Sequence, residues 1–160
     1  MSADLIYEFL LPAAPEKVFA MLTGSDYLSD KVSSSIQGTF DISGNSPDFQ
    51  IQITRTIDGD LPEMVRKFVG EELTVVEVQN WSSLSKENFL SAFELKINNA
   101  PVEIKGTISL AGSQSTQVLI KAKVKVNVPI LGAMAEPQVV QKLKSVLQDE
   151  EKLCSQWIAK

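Results

Sequence analysis

Residues 116–158 read TQVLIKAKVKVNVPILGAMAEPQVVQKLKSVLQDEEKLCSQWI, and the hydrophobic period changes once within them. From Thr116 to Val128 the period is two: Val118, Ile120, Ala122, Val124, Val126 and Val128 fall on one face, and Lys121, Lys123 and Lys125 on the other. Such a strand turns one face to a core and the other to water. After Pro129 and Gly132 the period lengthens to about 3.6, the signature of an amphipathic helix. Val139, Val140, Leu143, Val146, Leu147, Leu153 and Trp157 form its apolar stripe, and Gln141, Lys142, Lys144, Asp149 and Lys152 fall largely outside it. A helix over Pro137–Ile158 is ~33 Å long at 1.5 Å per residue, enough to cross a whole sheet. Because it follows the last strand directly, its stripe is most simply buried diagonally across the concave apolar face of the preceding strands.

Working toward the N-terminus, alternating segments recur. Val102 to Leu110, Asn88 to Ile97 and Leu73 to Trp81 read as strands, separated by turn chemistry at Asn98-Asn99-Ala100-Pro101 and at Ser82 to Lys86. Before them, Phe49, Ile51 and Ile53 alternate with Gln50, Gln52 and Thr54, and Ile36, Gly38, Phe40 and Ile42 with Gln37, Thr39 and Asp41. Gly44-Asn45-Ser46-Pro47 turns the chain between these two. Five or six strands from Ile36 onward suit an antiparallel meander. Asp60-Leu61-Pro62-Glu63 resembles a capping box opening a short helix that Gly70 closes. At the start, Asp4 to Leu11 is a first strand ended by Pro12. Pro15-Glu16 opens a short helix with Val18, Phe19 and Leu22 on its apolar side, and a second short helix is placed around Tyr27 to Lys31.

Composition narrows the function. The 160 residues are 44% hydrophobic, with no run near the ~20 apolar residues of a spanning helix, so no integral membrane association is expected. The first residues lack the basic-then-apolar pattern of a secretory signal, which makes a cytoplasmic location the expectation. One domain is expected, with no repeat, linker or low-complexity segment. A net charge of −5 disfavours nucleic acid and anionic lipid as partners. The absence of histidine removes Ser-His-Asp and Cys-His machinery, imidazole bases and nearly every catalytic zinc site. The single cysteine, Cys154, forms no internal disulfide or CxxC motif and is read as a packing residue. No phosphate-cradling or dinucleotide glycine motif occurs, so no cofactor is expected. Asp58-Gly59-Asp60 lacks the spacing of a calcium loop. The Lys121, Lys123, Lys125 row reads as a solvated face.

The order of strand, short helices, antiparallel meander and long C-terminal helix resembles the helix-grip fold of the START-related (SRPBCC) superfamily, over essentially the whole chain. The fold class is then α+β, a curved antiparallel sheet wrapped around a long C-terminal helix. Leu61-Pro62-Glu63-Met64-Val65-Arg66-Lys67-Phe68-Val69-Gly70, with Leu73-Thr74-Val75 and Trp81, is similar to a bacterial branch of unassigned function. So is Val124-Lys125-Val126-Asn127-Val128-Pro129 followed by the helix ending in Trp157. The resemblance implies a ligand cavity between sheet and helix. Relatives bind lipids, sterols, phytohormones or polyketides, and some cyclise, hydrolyse or chaperone, so fold alone does not choose.

Strand parity aims Arg55 inward with Ile51 and Ile53. In the next strand, placing Leu73, Val75 and Trp81 inward carries Glu77 and Gln79 with them; the opposite parity buries Val76 and Val78 instead. With the first parity, Arg55, Glu77 and Gln79 are polar groups on an apolar wall, where they must be paired and are placed to anchor the polar end of a ligand such as a carboxylate or hydroxyl. With the second, Arg55 reaches solvent from the strand end and Glu77 faces out. Phe89, Phe93, Leu95 and Ile97 alternate inward, as do Val102, Ile104 and Ile108, either as plain core or as cavity wall. The expected lining comprises these polar groups with Ile53, Phe68, Val75, Trp81, Phe89, Phe93, Leu95, Ile104, Val124 and, from the helix, Val140, Leu143 and Leu147. Met64, Phe68 and Val128-Pro129-Ile130-Leu131 either form a mouth or cap the core.

Three functions remain open. A binding or carrier domain for an apolar or amphipathic small molecule leads. A cyclase- or hydrolase-like enzyme using an inward carboxylate such as Glu77 requires a pKa raised toward neutrality. A protein-interaction module has its core filled by its own side chains. A void of several hundred Å³, the order typical of ligand pockets, favours binding over the interaction module.

Overall fold

The computed structural model describes residues 2–57, 63, 66, 67, 70–98 and 100–160, and the backbone of 58. β1 (Ala3–Leu11) is followed by two short helices, α1 (Pro15–Leu22) and α2 (Ser25–Ser33). The meander then runs through β2 (Gln37–Asn45), β3 (Asp48–Asp58), β4 (Glu72–Ser85), β5 (Asn88–Ile97), β6 (Val102–Gly112) and β7 (Thr116–Val126), and the chain ends in α3 (Gly132–Ile158). The seven strands form one antiparallel sheet in the order β1-β7-β6-β5-β4-β3-β2. Six strands therefore follow the short helices, as the period-two reading expects. The predicted helix over 60–70 lies largely outside the described residues.

Period-two alternation is translated directly into burial. In β7, Val118, Ile120, Ala122, Val124 and Val126 are buried while Lys121, Lys123 and Lys125 are exposed. At the β2–β3 turn Gly44 adopts φ +87°, where a side chain would meet the Asp48 carbonyl at 2.3 Å. Two apolar clusters fill the interior. One gathers Leu11, Val18, Phe19, Leu28, Ile51, Trp81, Phe89 and Leu110. The other lies under the first half of α3 and gathers Leu5, Ile104, Val124, Val139 and Val140.

α3 has 27 residues and starts five positions earlier than the sequence pattern placed it. Pro137 sits inside the helix instead of opening it, at the cost of one backbone hydrogen bond to the preceding turn. Three contacts compensate. The Gly132 amide donates to the Val128 carbonyl at 2.8 Å. Gly132 itself lies so close to β7 that any side chain would strike the Val126 carbonyl at 2.2 Å. The buried Glu136 carboxylate accepts the Val126 amide at 2.9 Å, which also ends β7 at Val126 instead of the expected Val128. α3 is thereby clamped to the end of the last strand, and it packs along β7 and β1 across the hollow of the sheet.

Candidate functional site

Between the middle of α3 and the concave sheet lies a cavity of about 120 Å³. Its walls are mostly apolar: Phe9, Phe93, Leu95, Ile104, Ile108, Val118 and Ile120 from the sheet, Leu22 and Leu28 from the short helices, and Leu143, Val146 and Leu147 from α3. Four charged side chains share this wall: Lys31, Arg55, Glu77 and Glu150.

The elements explain how they meet. Arg55 follows Ile51 and Ile53 on the inward side of β3. Glu77 takes the inward parity of β4 and pairs with Ile53, two residues along from the Val75–Arg55 pair, so the two charges are diagonal neighbours on one face. Lys31 stands four residues after Tyr27 and three after Leu28, on the buried side of α2. Glu150 lies three residues after Leu147 and four before Cys154, on the α3 face that meets the cavity.

The four charges close a ring. Lys31 Nζ is 3.1 Å from Glu150 and 3.5 Å from Glu77. Arg55 Nη2 is 3.5 Å from Glu150 and 3.9 Å from Glu77. Lys31, Glu77 and Gln79 retain only 5%, 8% and 5% of their exposure, so the two charges must be compensated and the amide hydrogen-bonded inside the protein. A hydrogen-bond chain extends the ring into the core: the Trp81 indole donates to Gln79 Oε1 at 2.8 Å, and Gln79 Nε2 donates to Glu77 Oε2.

This arrangement fixes protonation. Burial pushes the Glu77 carboxyl up, but Lys31, Arg55 and the Gln79 hydrogen bond outweigh it and hold the group below the usual carboxylate range. Burial pulls Lys31 down, and Glu150 and Glu77 outweigh that, leaving it above the usual lysine value. Glu77 is therefore anionic and Lys31 cationic at neutral pH. That is the reverse of the raised carboxyl which acid–base work by Glu77 requires. Cys154, buried as the packing reading expects, has its Sγ 3.3 Å from the Tyr27 hydroxyl, and burial raises its thiol to about 11. It is held as the neutral thiol and not as a nucleophile.

The inward parity of β4 is the one adopted, so Glu77 does not face out and Arg55 turns its head to Glu77 and Glu150. Arg55, Val75, Glu77, Gln79, Trp81, Phe93, Leu95, Ile104, Leu143 and Leu147 all line the cavity. Ile53 and Phe89 do not: Ile53 is fully buried beside it, and the Phe89 ring stacks on Phe19 with centroids 4.3 Å apart. Val124 and Val140 pack in the cluster below the first half of α3. Phe68 and Met64 lie outside the described residues, and Ile130 and Leu131 are exposed at the start of α3. Lys31, Glu150, Tyr27 and Cys154 line the cavity without having been expected there. Their signal was spacing: each recurs three or four residues from an apolar neighbour on one helical face.

Two further hollows adjoin the cavity. An apolar one of about 60 Å³ shares Ile57, Val75, Leu95, Ile104, Leu143 and Val146 with it and reaches toward Val139. An open surface groove of about 560 Å³, bordered by Ser33 to Ile36 and by Lys142, Asp149 and Lys152, meets the cavity at Lys31, Arg55, Ile57, Val146 and Glu150. The ionic ring is thus the partition between groove and interior. No helix among the described residues is long and apolar enough to cross a membrane.

Solved structures share this architecture. A protein from Thermus thermophilus superposes with a TM-score of 0.68 at 12% identity, covering 98% of this chain and 97% of that one. The ZhuI aromatase/cyclase from Streptomyces sp. R1128 gives 0.60 at 11% identity, over 99% and 92% of the two chains. A START superfamily protein from Mycobacterium smegmatis gives 0.59 at 12% identity, over 96% and 98%. No curated protein matches by sequence. The fold is the helix-grip fold of START-superfamily and cyclase structures, and the match of residues 7–158 to the family described as "Protein of unknown function (DUF2505)" makes this chain a member of that family.

Proposed function

We propose that this chain binds a small apolar or amphipathic molecule between the sheet and α3, with the polar part of that molecule held at Lys31, Arg55, Glu77 and Gln79. One observation carries the reading: four mutually compensated charges, Lys31 and Glu77 buried and Arg55 and Glu150 half-buried, stand on the wall of an otherwise apolar hollow. An ion-pair ring is a weak source of stability, because desolvation offsets most of its attraction. A few convergent polar groups on an apolar wall are, by contrast, the usual makeup of a small-molecule site. The likeness to an aromatase/cyclase and to a START superfamily protein supports a ligand-holding use of the fold.

The enclosed volume, about 120 Å³, is smaller than the several hundred Å³ of a drug-sized pocket. The ligand is accordingly small, or it extends from the cavity into the adjoining hollow or the groove. Binding draws on removal of apolar surface from water, at about 25 cal/mol per Å². The low Glu77 carboxyl and the cationic Lys31 support an anchoring role for the ring over an acid–base one.

Isothermal titration with 1-octanol tests the reading. The account expects saturable binding at one site, lost in Leu147→Trp, whose larger ring fills the cavity without touching the charge balance. Absence of saturable binding, or equal binding by wild type and Leu147→Trp with the variant folded by circular dichroism, overturns it.

A further inference from the structure

The ionic ring carries information about the ligand's polar end that the binding reading leaves open. Its charges sum to zero: two cations, Lys31 and Arg55, face two carboxylates, Glu77 and Glu150, and each cation touches both acids. A fifth charge entering this partition has no free counter-ion. An anion must take Lys31 or Arg55 from an existing partner, a cation must take Glu77 or Glu150, and otherwise a net charge is left in a partly desolvated site.

The hydrogen-bond inventory points the same way. Acceptors on the wall already face donors: Glu77 accepts the Gln79 amide and lies 3.5 Å from Lys31, Gln79 Oε1 accepts the Trp81 indole, and Glu150 lies 3.1 Å from Lys31. Donors are in surplus. A guanidinium offers five N–H groups, and Arg55 meets its acids only at 3.5 and 3.9 Å, beyond tight hydrogen-bond distance. The missing partner is thus an acceptor. Apolar wall adjoins the ring, through Phe93, Ile108 and Ile120 and through Ile57, Val75 and Leu143, the last three shared with the smaller apolar hollow.

We infer that the site selects ligands whose polar part is an uncharged hydrogen-bond acceptor, a carbonyl or hydroxyl oxygen met by Arg55 and Lys31, and that it turns away free carboxylates and amines. The inference rests on the binding reading above and narrows its ligand class.

Isothermal titration with four probes of equal chain length, 2-octanone, 1-octanol, octanoate and octylammonium, tests it at neutral pH. The ketone and alcohol are expected to bind at least about tenfold more tightly than either ion. Two variants shift the balance in opposite directions. Glu150→Gln leaves one surplus cation, so octanoate should gain about tenfold relative to 2-octanone. Lys31→Met leaves one surplus anion, so octylammonium should gain instead. If neither variant folds, the wild-type ranking decides alone. Octanoate or octylammonium matching the ketone in wild type overturns this inference and leaves the binding reading standing, as does a folded variant that leaves the selectivity unchanged. No binding by any probe removes both.

Discussion

The two ends of the interior are built on opposite plans. Near α1 the core is solid: Phe19 stacks on Phe89 at 4.3 Å, Phe49 lies 6.1 Å away, and Trp81 meets Phe19 edge-on at 5.5 Å. Leu11, Ile51 and Leu110 beside them have no exposed surface at all. Under the middle of α3 the same sheet faces a hollow, and four charges replace hydrocarbon on its wall. Trp81 stands on the border, its ring edge in the solid end and its indole N–H bonded to Gln79. The contrast separates two tasks: close packing at one end secures the fold, and that security tolerates a void and a costly ionic ring at the other.

Substitutions that break this contrast should rank accordingly. Phe89→Ala opens a cavity in the solid end and should cost about 4 kcal/mol in denaturant unfolding. Glu77→Leu leaves Lys31 and Arg55 with Glu150 alone, and should cost about 3 kcal/mol in the same experiment. An outward Glu77 would give a change of only about 0.5 kcal/mol. Tyr27→Phe removes the hydroxyl beside the Cys154 thiol and should cost about 1 kcal/mol, the smallest effect of the three.

The ring also sharpens the comparison through pH, since the aromatic stack at the solid end has nothing to titrate. The folded-state pKa of Glu77 is depressed, so its contribution is present above the ordinary carboxylate value and is lost as pH falls through the folded one. The folded-state pKa of Lys31 is raised, so its contribution is complete below the ordinary lysine value and is lost as pH rises through the folded one. Stability measured against pH should therefore decline at both extremes, and Glu77→Leu should flatten the acid decline. An unchanged acid decline in that variant contradicts the assignment.

Much of the fold was legible because backbone period and burial are locked together. The alternation in 116–126 and the stripe from Val139 to Trp157 dictate a sheet and a covering helix, and β5 was read to its observed ends. β4 was ambiguous, since Val75 and Trp81 favour one parity and Val76 and Val78 the other; pairing with β3 settles it by bringing Glu77 within reach of Arg55. Local pattern misplaces the start of α3 because Pro137 looks like an opening residue, while the clamp of Gly132 and Glu136 on β7 is a tertiary contact invisible to it. Parity told which face Ile53, Phe89 and Val124 occupy but not how deep, and depth depends on where α1 and α3 fill the sheet. Lys31 and Glu150 escape the sequence pattern because charge reads as solvent face, even though their helical spacing places them with apolar neighbours.

Trp81 and Trp157 provide the most direct test of the central claim. Trp81 lines the cavity, whereas Trp157 is not among its lining residues and its indole donates to Asp30 at 2.8 Å near the C-terminal end of α3. In a 1H–15N spectrum titrated with 1-octanol, the account predicts a saturable shift of the Trp81 indole resonance while that of Trp157 stays in place. A Trp81 resonance that does not move, or equal movement of both, contradicts a ligand site beneath α3.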